Sequence, residues 1–237
     1  MPDNSTEHEM FATITMVREE FVEFAKLLGN GEMFEDGSQK LRGITIGHFP
    51  PGKYESHNRY PALYTIYSNP DREYKMNIWE WIWDEERKTL NLQTHDSDKL
   101  AQETHDKSYF GECIGEIVSI LDSGEGRAQM SATSNGIFLG EPVKIDCQID
   151  GKCNRDGLWE HEMTGTATFI DQGIEVSWRS MGTGAVFDDG TQAWRGALCF
   201  RFPHGKYEEK NRSPFLYPID SDANHKHRFE LREWDLG

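Results

Sequence analysis

Apolar and polar residues alternate at every second position along much of this chain. The period is clearest in Met76 to Glu85, MNIWEWIWDE. Trp79, Trp81 and Trp83 fall on one side of an extended strand, and Ile78, Glu80 and Ile82 on the other. Both sides are largely apolar and one carries a carboxylate. That pattern predicts a strand covered on both faces, as in a sandwich or a barrel wall.

The same period predicts strands at Leu41–Phe49, Ala62–Ser68, Glu73–Trp83, Lys88–Thr94, Arg127–Thr133, Val143–Ile149, Leu158–Ile170, Ile174–Met181 and Ala193–Phe202. Val143, Ile145, Cys147 and Ile149 share one face of their strand. Trp194, Gly196, Leu198, Phe200 and Phe202 share one face of theirs, with Arg195, Cys199 and Arg201 opposite. Lys88–Thr94 pairs with the tryptophan strand as a hairpin, and Leu158–Ile170 pairs with Ile174–Met181 across Asp171-Gln172-Gly173. Asn69-Pro70-Asp71, Asn135-Gly136 and Asp188-Asp189-Gly190 read as turns.

One segment reads as a helix. Ile14, Val17, Phe21, Phe24 and Leu28 keep to three- and four-residue steps, so Phe11–Leu28 is predicted as an amphipathic helix ended by Gly29-Asn30-Gly31. Residues 1–10 read as a disordered leader, and residues 95–112 as a short helix or loop. Residues 203–237 read as a charged tail that wraps the surface or moves. No repeat or linker divides the chain. The predicted fold is mainly all-β: one antiparallel, calycin- or lipocalin-like β-barrel over 11–202, with the N-terminal helix plugging or flanking it.

Composition narrows the function. Forty-one acidic against 25 basic residues give a formal net charge of −16, which repels phosphate backbones and anionic lipid. Nucleic-acid and membrane-surface partners are therefore excluded as first readings, and solubility or a partner with a basic patch is favoured. No run of about 20 apolar residues is present, so no membrane span is expected. No signal-peptide pattern is seen, and the four cysteines match no zinc spacing. Reduced thiols in a cytoplasmic compartment, or in the plastid stroma of an alga, are the expectation.

The order of several marks resembles the T-type (CpcT/CpeT-like) bilin lyases, as a divergent member. An acidic segment with an aromatic, Asn30–Gly37, follows the predicted helix. A strand ends in prolines, Ile44–Pro51. The tyrosine-rich strand Leu63–Tyr67 runs into Asn69, Pro70 and Arg72. Phe138 and Gly140 precede Cys147, and Trp194 precedes Phe200 and Phe202. Tyr74 and Arg195 stand where the family pattern has an arginine and a glycine. The resemblance implies a barrel with a tetrapyrrole-sized pocket that presents a bilin to a cysteine of a phycobiliprotein. It implies no metal and no cofactor beyond the bilin itself.

On that reading Glu80 pairs with protonated pyrrole nitrogens, and Tyr67 joins it in catalysis. Tyr64 and Tyr74 donate hydrogen bonds, and Trp79, Trp81, Trp178 and Trp194 stack on the pigment. Arg72, Arg195 and Arg201 bind propionate carboxylates, for which a planar guanidinium is suited. Each has a plainer reading: the indoles as core, Glu80 and the arginines as ion pairs, the tyrosines as ordinary strand residues. Cys147 is either a transient thiol or an inert buried one. His225-x-His227 and His161-Glu162 are too few to hold a metal. No Gly-x-Ser-x-Gly elbow and no phosphate loop is present. An isomerase, a cyclase or a small hydrophobic ligand-binding protein on the same barrel, and a non-catalytic interaction protein for a basic partner, are the alternatives.

Overall fold

The computed structural model describes residues 4–16, 21–49, 61–84, 89–94, 108–113, 118–122, 127–153, 158–187, 189–224 and 227–234. At several strand positions, 79–84 and 89–94 among them, the description covers the backbone only. The described residues form antiparallel β-structure with no α-helix; one short 3-10 turn spans Glu208–Arg212. No helix among them is long and apolar enough to cross a membrane. The chain divides into two compact units, Met1–Thr104 with Leu236–Gly237, and His105–Asp235.

The first unit is a six-stranded meander in chain order: β1 Ser5–Met16, β2 Phe21–Met33, β3 Gln39–His48, β4 Ala62–Ser68, β5 Tyr74–Asp84 and β6 Thr89–Thr94. The second holds nine strands: β7 Ser108–Cys113, β8 Val118–Asp122, β9 Arg127–Phe138, β10 Glu141–Cys153, β11 Leu158–Phe169, β12 Ile174–Val186, β13 Gln192–Arg201, β14 Phe215–Ser221 and β15 His227–Glu233. Their order is β7-β15-β14-β13-β12-β11-β10-β9-β8. β7 also lies against β9, so this sheet curls back toward its own start and is barrel-like.

Several expectations change. The predicted helix over Phe11–Leu28 is instead the end of β1 and most of β2, paired from Ser5↔Glu32 to Met16↔Phe21. Thr13, Ile14, Thr15, Phe21 and Val22 are strand formers, and a partner strand 5–27 residues away satisfies their backbone. Of the leader expected to be disordered, Ser5–Met10 is the first half of β1. The tail after Pro203 contributes β14 and β15 to the middle of the second sheet. The single barrel over 11–202 gives way to two units. Asn135-Gly136 is not a turn but lies inside β9, opposite Lys144 and Val143. The chain reverses at Leu139-Gly140, both with positive φ (52° and 78°), as a two-residue hairpin of this hand requires.

The ladders also uncover a repeat. Glu7-His8-Glu9-Met10 recurs as Glu160-His161-Glu162-Met163, and Gly29-x-Gly31 as Gly182-x-Gly184. Phe34-x-Asp36-Gly37-x-Gln39 recurs as Phe187-x-Asp189-Gly190-x-Gln192. Arg42-Gly43 recurs as Arg195-Gly196, and Leu63-Tyr64-x-Ile66-x-Ser68 as Leu216-Tyr217-x-Ile219-x-Ser221. His161 follows His8 by 153 positions, and every other match keeps that 153 without insertion. The turns agree in detail. Asp36 Oδ1 accepts from Ser38 N (2.9 Å) and Oγ (2.6 Å), and Asp189 Oδ1 from Thr191 N (2.9 Å) and Oγ1 (2.6 Å). Gly37 and Gly190 both sit at φ 84°, where a side chain would be strained.

The core of the second unit is aromatic. Phe138, Phe169, Phe200, Phe202, Tyr207 and Phe215 pack together, with Val143, Val176, Met163, Trp178, Leu198 and Tyr217 beside them. Of the two faces of β13, the one carrying Leu198, Phe200 and Phe202 enters this core. Ile145, Cys147 and Ile149 of β10 pack against it as expected. The first unit has a smaller cluster of Ala25, Leu27 and Tyr64, with Met10, Ala12 and Ile66 against it.

Candidate functional site

The feature that joins sequence, register and chemistry is one rung of each sheet. In the second unit His161 on β11 pairs with Gly182 on β12. Gly182 pairs with Gly196 on β13, and Gly196 with Tyr217 on β14. Three strand spacings separate the histidine from the tyrosine, about 14 Å along a flat sheet. Two extended side chains and one hydrogen bond span that gap only if they lie flat, and the glycines between them allow it. A Cβ on Gly182 would stand 2.6 Å from the His161 ring, and one on Gly196 would stand 2.3 Å from Tyr217 Oη.

Across that bridge His161 Nε2 and Tyr217 Oη hydrogen-bond at 2.5 Å. Ser180 Oγ meets the same phenol oxygen at 2.7 Å. Trp194 sets its indole edge-on to His161, 5.1 Å between centroids, and its Nε1 donates to Gln192 Oε1 at 3.1 Å. The indole also lies over Gly184, as that of Trp178 lies over Gly165. The group therefore combines a histidine, a phenol, a hydroxyl and two indoles, with Met163, Leu198 and Phe215 of the core in the adjoining rung.

Burial sets its electrostatics. His161 is 3% exposed, and burial pushes its imidazole down to about 3, so it is neutral at physiological pH. Burial pushes the Tyr217 phenol well above its usual range, with the Ser180 hydrogen bond acting against that, so the phenol keeps its proton. A neutral imidazole beside a tightly held phenol proton suits hydrogen bonding and positioning, and not proton transfer. His161 Nδ1 is buried and has no hydrogen-bond partner among the described residues. Such an atom asks for an explanation, because buried polar groups are otherwise almost always satisfied.

The first unit builds the same rung. His8, Gly29, Gly43 and Tyr64 lie opposite one another across β1 to β4. His8 Nε2 hydrogen-bonds Tyr64 Oη, and the rings meet edge to face at 5.8 Å. Burial pushes His8 down to about 4, the charge of Glu7 acting against it.

The glycines give this rung a direct test. Gly196→Ala is expected to destabilise the second unit by about 1–3 kcal/mol, since the new methyl meets Tyr217 and the backbone oxygen of Met181 at 2.4 Å. Denaturant titration of the full chain measures it. Glycine-to-alanine at Gly205, where nothing lies within 4 Å but φ is 136°, separates contact from backbone strain.

The residues singled out from the sequence scatter. Tyr64 is fully buried and is the phenol of the first rung. Trp178 and Trp194 lie in the second unit as above. Arg195 is 2% exposed, and its Nη1 donates to Asp220 Oδ1 at 2.9 Å and to the Trp194 carbonyl at 2.9 Å. Arg201, six residues along β13, is exposed. Arg72 sits at φ 62° in an exposed turn, its amide donating to Asn69 O at 3.0 Å. Tyr74 is 61% exposed, and Tyr67 is half-buried opposite Lys40 and Lys75. The side chains of Glu80, Trp79 and Trp81 lie outside the described residues; their backbone pairs with Ala62, Leu63 and Leu92. No group of three or more metal-ligating side chains occurs among the described residues.

The sequence reading weighed His161 only as a metal ligand and passed over His8, Ser180 and Tyr217. One signal would have found three of them: the recurrence of Glu-His-Glu-Met and of Leu-Tyr-x-Ile-x-Ser at the same 153-residue spacing. No family model, curated protein or solved structure matches the chain. The resemblance to T-type bilin lyases therefore rests on its sequence marks alone.

Proposed function

We propose that this protein binds a planar, conjugated and largely apolar small molecule, held on the concave side of the second unit's curled sheet. One observation carries the reading: the buried Nδ1 of His161, placed beside Trp194 and the Tyr217–Ser180 pair, in a unit otherwise lined with aromatics. Concave, mostly apolar sites with a few convergent polar groups are the common form of small-molecule sites. The ligand's polar group takes the hydrogen bond that the protein leaves open at His161, and the indoles supply stacking area.

The class of ligand implied by the sequence marks is a linear tetrapyrrole. On this reading the protein carries or presents the pigment, and an acceptor phycobiliprotein supplies the cysteine. Any lyase activity then arises from holding the pigment in an orientation that suits attack.

Co-production with bilins tests the proposal. A bound pigment with shifted visible absorption, reduced by Tyr217→Phe, is the expected result. An uncoloured protein with every common bilin, and no change in tryptophan fluorescence on adding biliverdin, would overturn it.

A further inference from the structure

We infer that the first unit carries a second copy of the binding site, built on His8 and Tyr64, so that one chain takes two ligand molecules. This rests on the proposed reading of the second unit and extends it. The grounds are three independent equivalences. The sequence repeats at constant spacing through Glu7–Met10 and Leu63–Ser68. The histidine, two glycines and tyrosine occupy the same rung in both sheets. His8 Nδ1, like His161 Nδ1, is buried with no hydrogen-bond partner among the described residues. A bridge kept only to hold strands together would have no reason to leave the same ring nitrogen unsatisfied twice.

The surroundings differ, and the differences set specificity. At the position of Trp178 the first unit has Ala25, at that of Ser180 it has Leu27, and at that of Trp194 it has Leu41. Leu27 and Ala25 pack beside Tyr64 in its cluster. The first site therefore offers aliphatic walls, no hydroxyl on the phenol from that position, and no indole at either place. It takes a ligand of the same size class with less stacking. For a conjugated pigment it is the weaker of the two sites by at least about tenfold, the equivalent of one such contact.

The experiment is a titration of the full chain with biliverdin, followed by visible absorption and tryptophan fluorescence. It is run on the unmodified protein and on Tyr64→Phe, Tyr217→Phe and Ser180→Ala. Two equivalents per chain in two affinity classes are expected. Tyr64→Phe should weaken only the weaker class, and Tyr217→Phe only the tighter. Ser180→Ala, which removes the hydroxyl alone, should narrow the gap between the classes, and it serves if Tyr217→Phe does not fold. One equivalent per chain, lost in Tyr217→Phe or weakened in Ser180→Ala and unaltered in Tyr64→Phe, would overturn the second site while leaving the first. Absence of any binding would overturn both.

Discussion

Replacing Phe200 with alanine is expected to destabilise the second unit by about 3–5 kcal/mol, the usual range for truncating a buried aromatic. Phe200 is 2% exposed. Its ring stacks on Phe138 at 5.0 Å and meets Phe215 edge-on at 5.2 Å, with Phe202 at 5.4 Å. These partners stand on or beside β9, β13 and β14. Phe215 is paired on both sides, Phe138 pairs with Glu141 of β10, and the Asn211 amide holds the Phe202 backbone, so these segments cannot readily close around the missing ring. A cavity therefore persists and adds to the lost burial. In the repeat, position 200 corresponds to Gly47, so the first unit has no equivalent ring. Hydrogen exchange should show faster opening of amides in β12 to β14 and unchanged opening in β2 to β4. A loss under about 1 kcal/mol, or equal effects in both units, would show that the aromatic core is not what holds the second sheet.

Acid should weaken the protein well before its carboxylates protonate. His161 has a folded pKa of about 3 against an unfolded value of 6.5. Between those limits the unfolded chain binds a proton that the folded one refuses, so stability rises with pH across the window. The contribution is fully present above about pH 6.5 and is lost as pH falls toward 3. Its slope approaches about 1.4 kcal/mol per pH unit in the middle of that range. His8, with a folded value of about 4, adds the same sign in the first unit over a shorter window. Asp36, Glu141, Asp146 and Asp189 are held below the usual carboxylate range by hydrogen bonds, so their losses begin only at lower pH. Denaturant midpoints between pH 7 and 5 isolate the histidines. A fall of that size, flattened in the second unit by His161→Gln, is the expected outcome. No dependence in this interval would mean that the imidazole accepts a proton in place.

The strands were legible where alternation was long and uninterrupted. β4 matches its predicted range at both ends, and β3, β5, β11 and β13 do so within a few residues. Which residues of β13 share a face was legible for the same reason, but not which face turns inward: the structure puts Leu198, Phe200 and Phe202 together in the core. The segment from Phe11 to Leu28 misled because its apolar residues fit a three- to four-residue step as well as a strand, and sequence spacing alone does not see the partner strand. Asn135-Gly136 misled similarly. Its turn chemistry is favourable, but the ladder between β9 and β10 continues past it to Leu139-Gly140.

By itself the sequence determined that this chain is β-structure with aromatic cores, thiols outside any zinc pattern and a strong negative charge. Those properties follow from local alternation and composition, which every segment carries within itself. The repeat of 153 residues was also written there in full. Only the tertiary structure decided which polar residues meet. His161 and Tyr217 are 56 residues apart, as are His8 and Tyr64, and each pair is joined by a register that sets two glycines between them. A one-residue slip at any of the three intervening ladders would turn a partner to the opposite face. The candidate sites are thus consequences of strand pairing summed across four strands, which no single stretch of sequence contains.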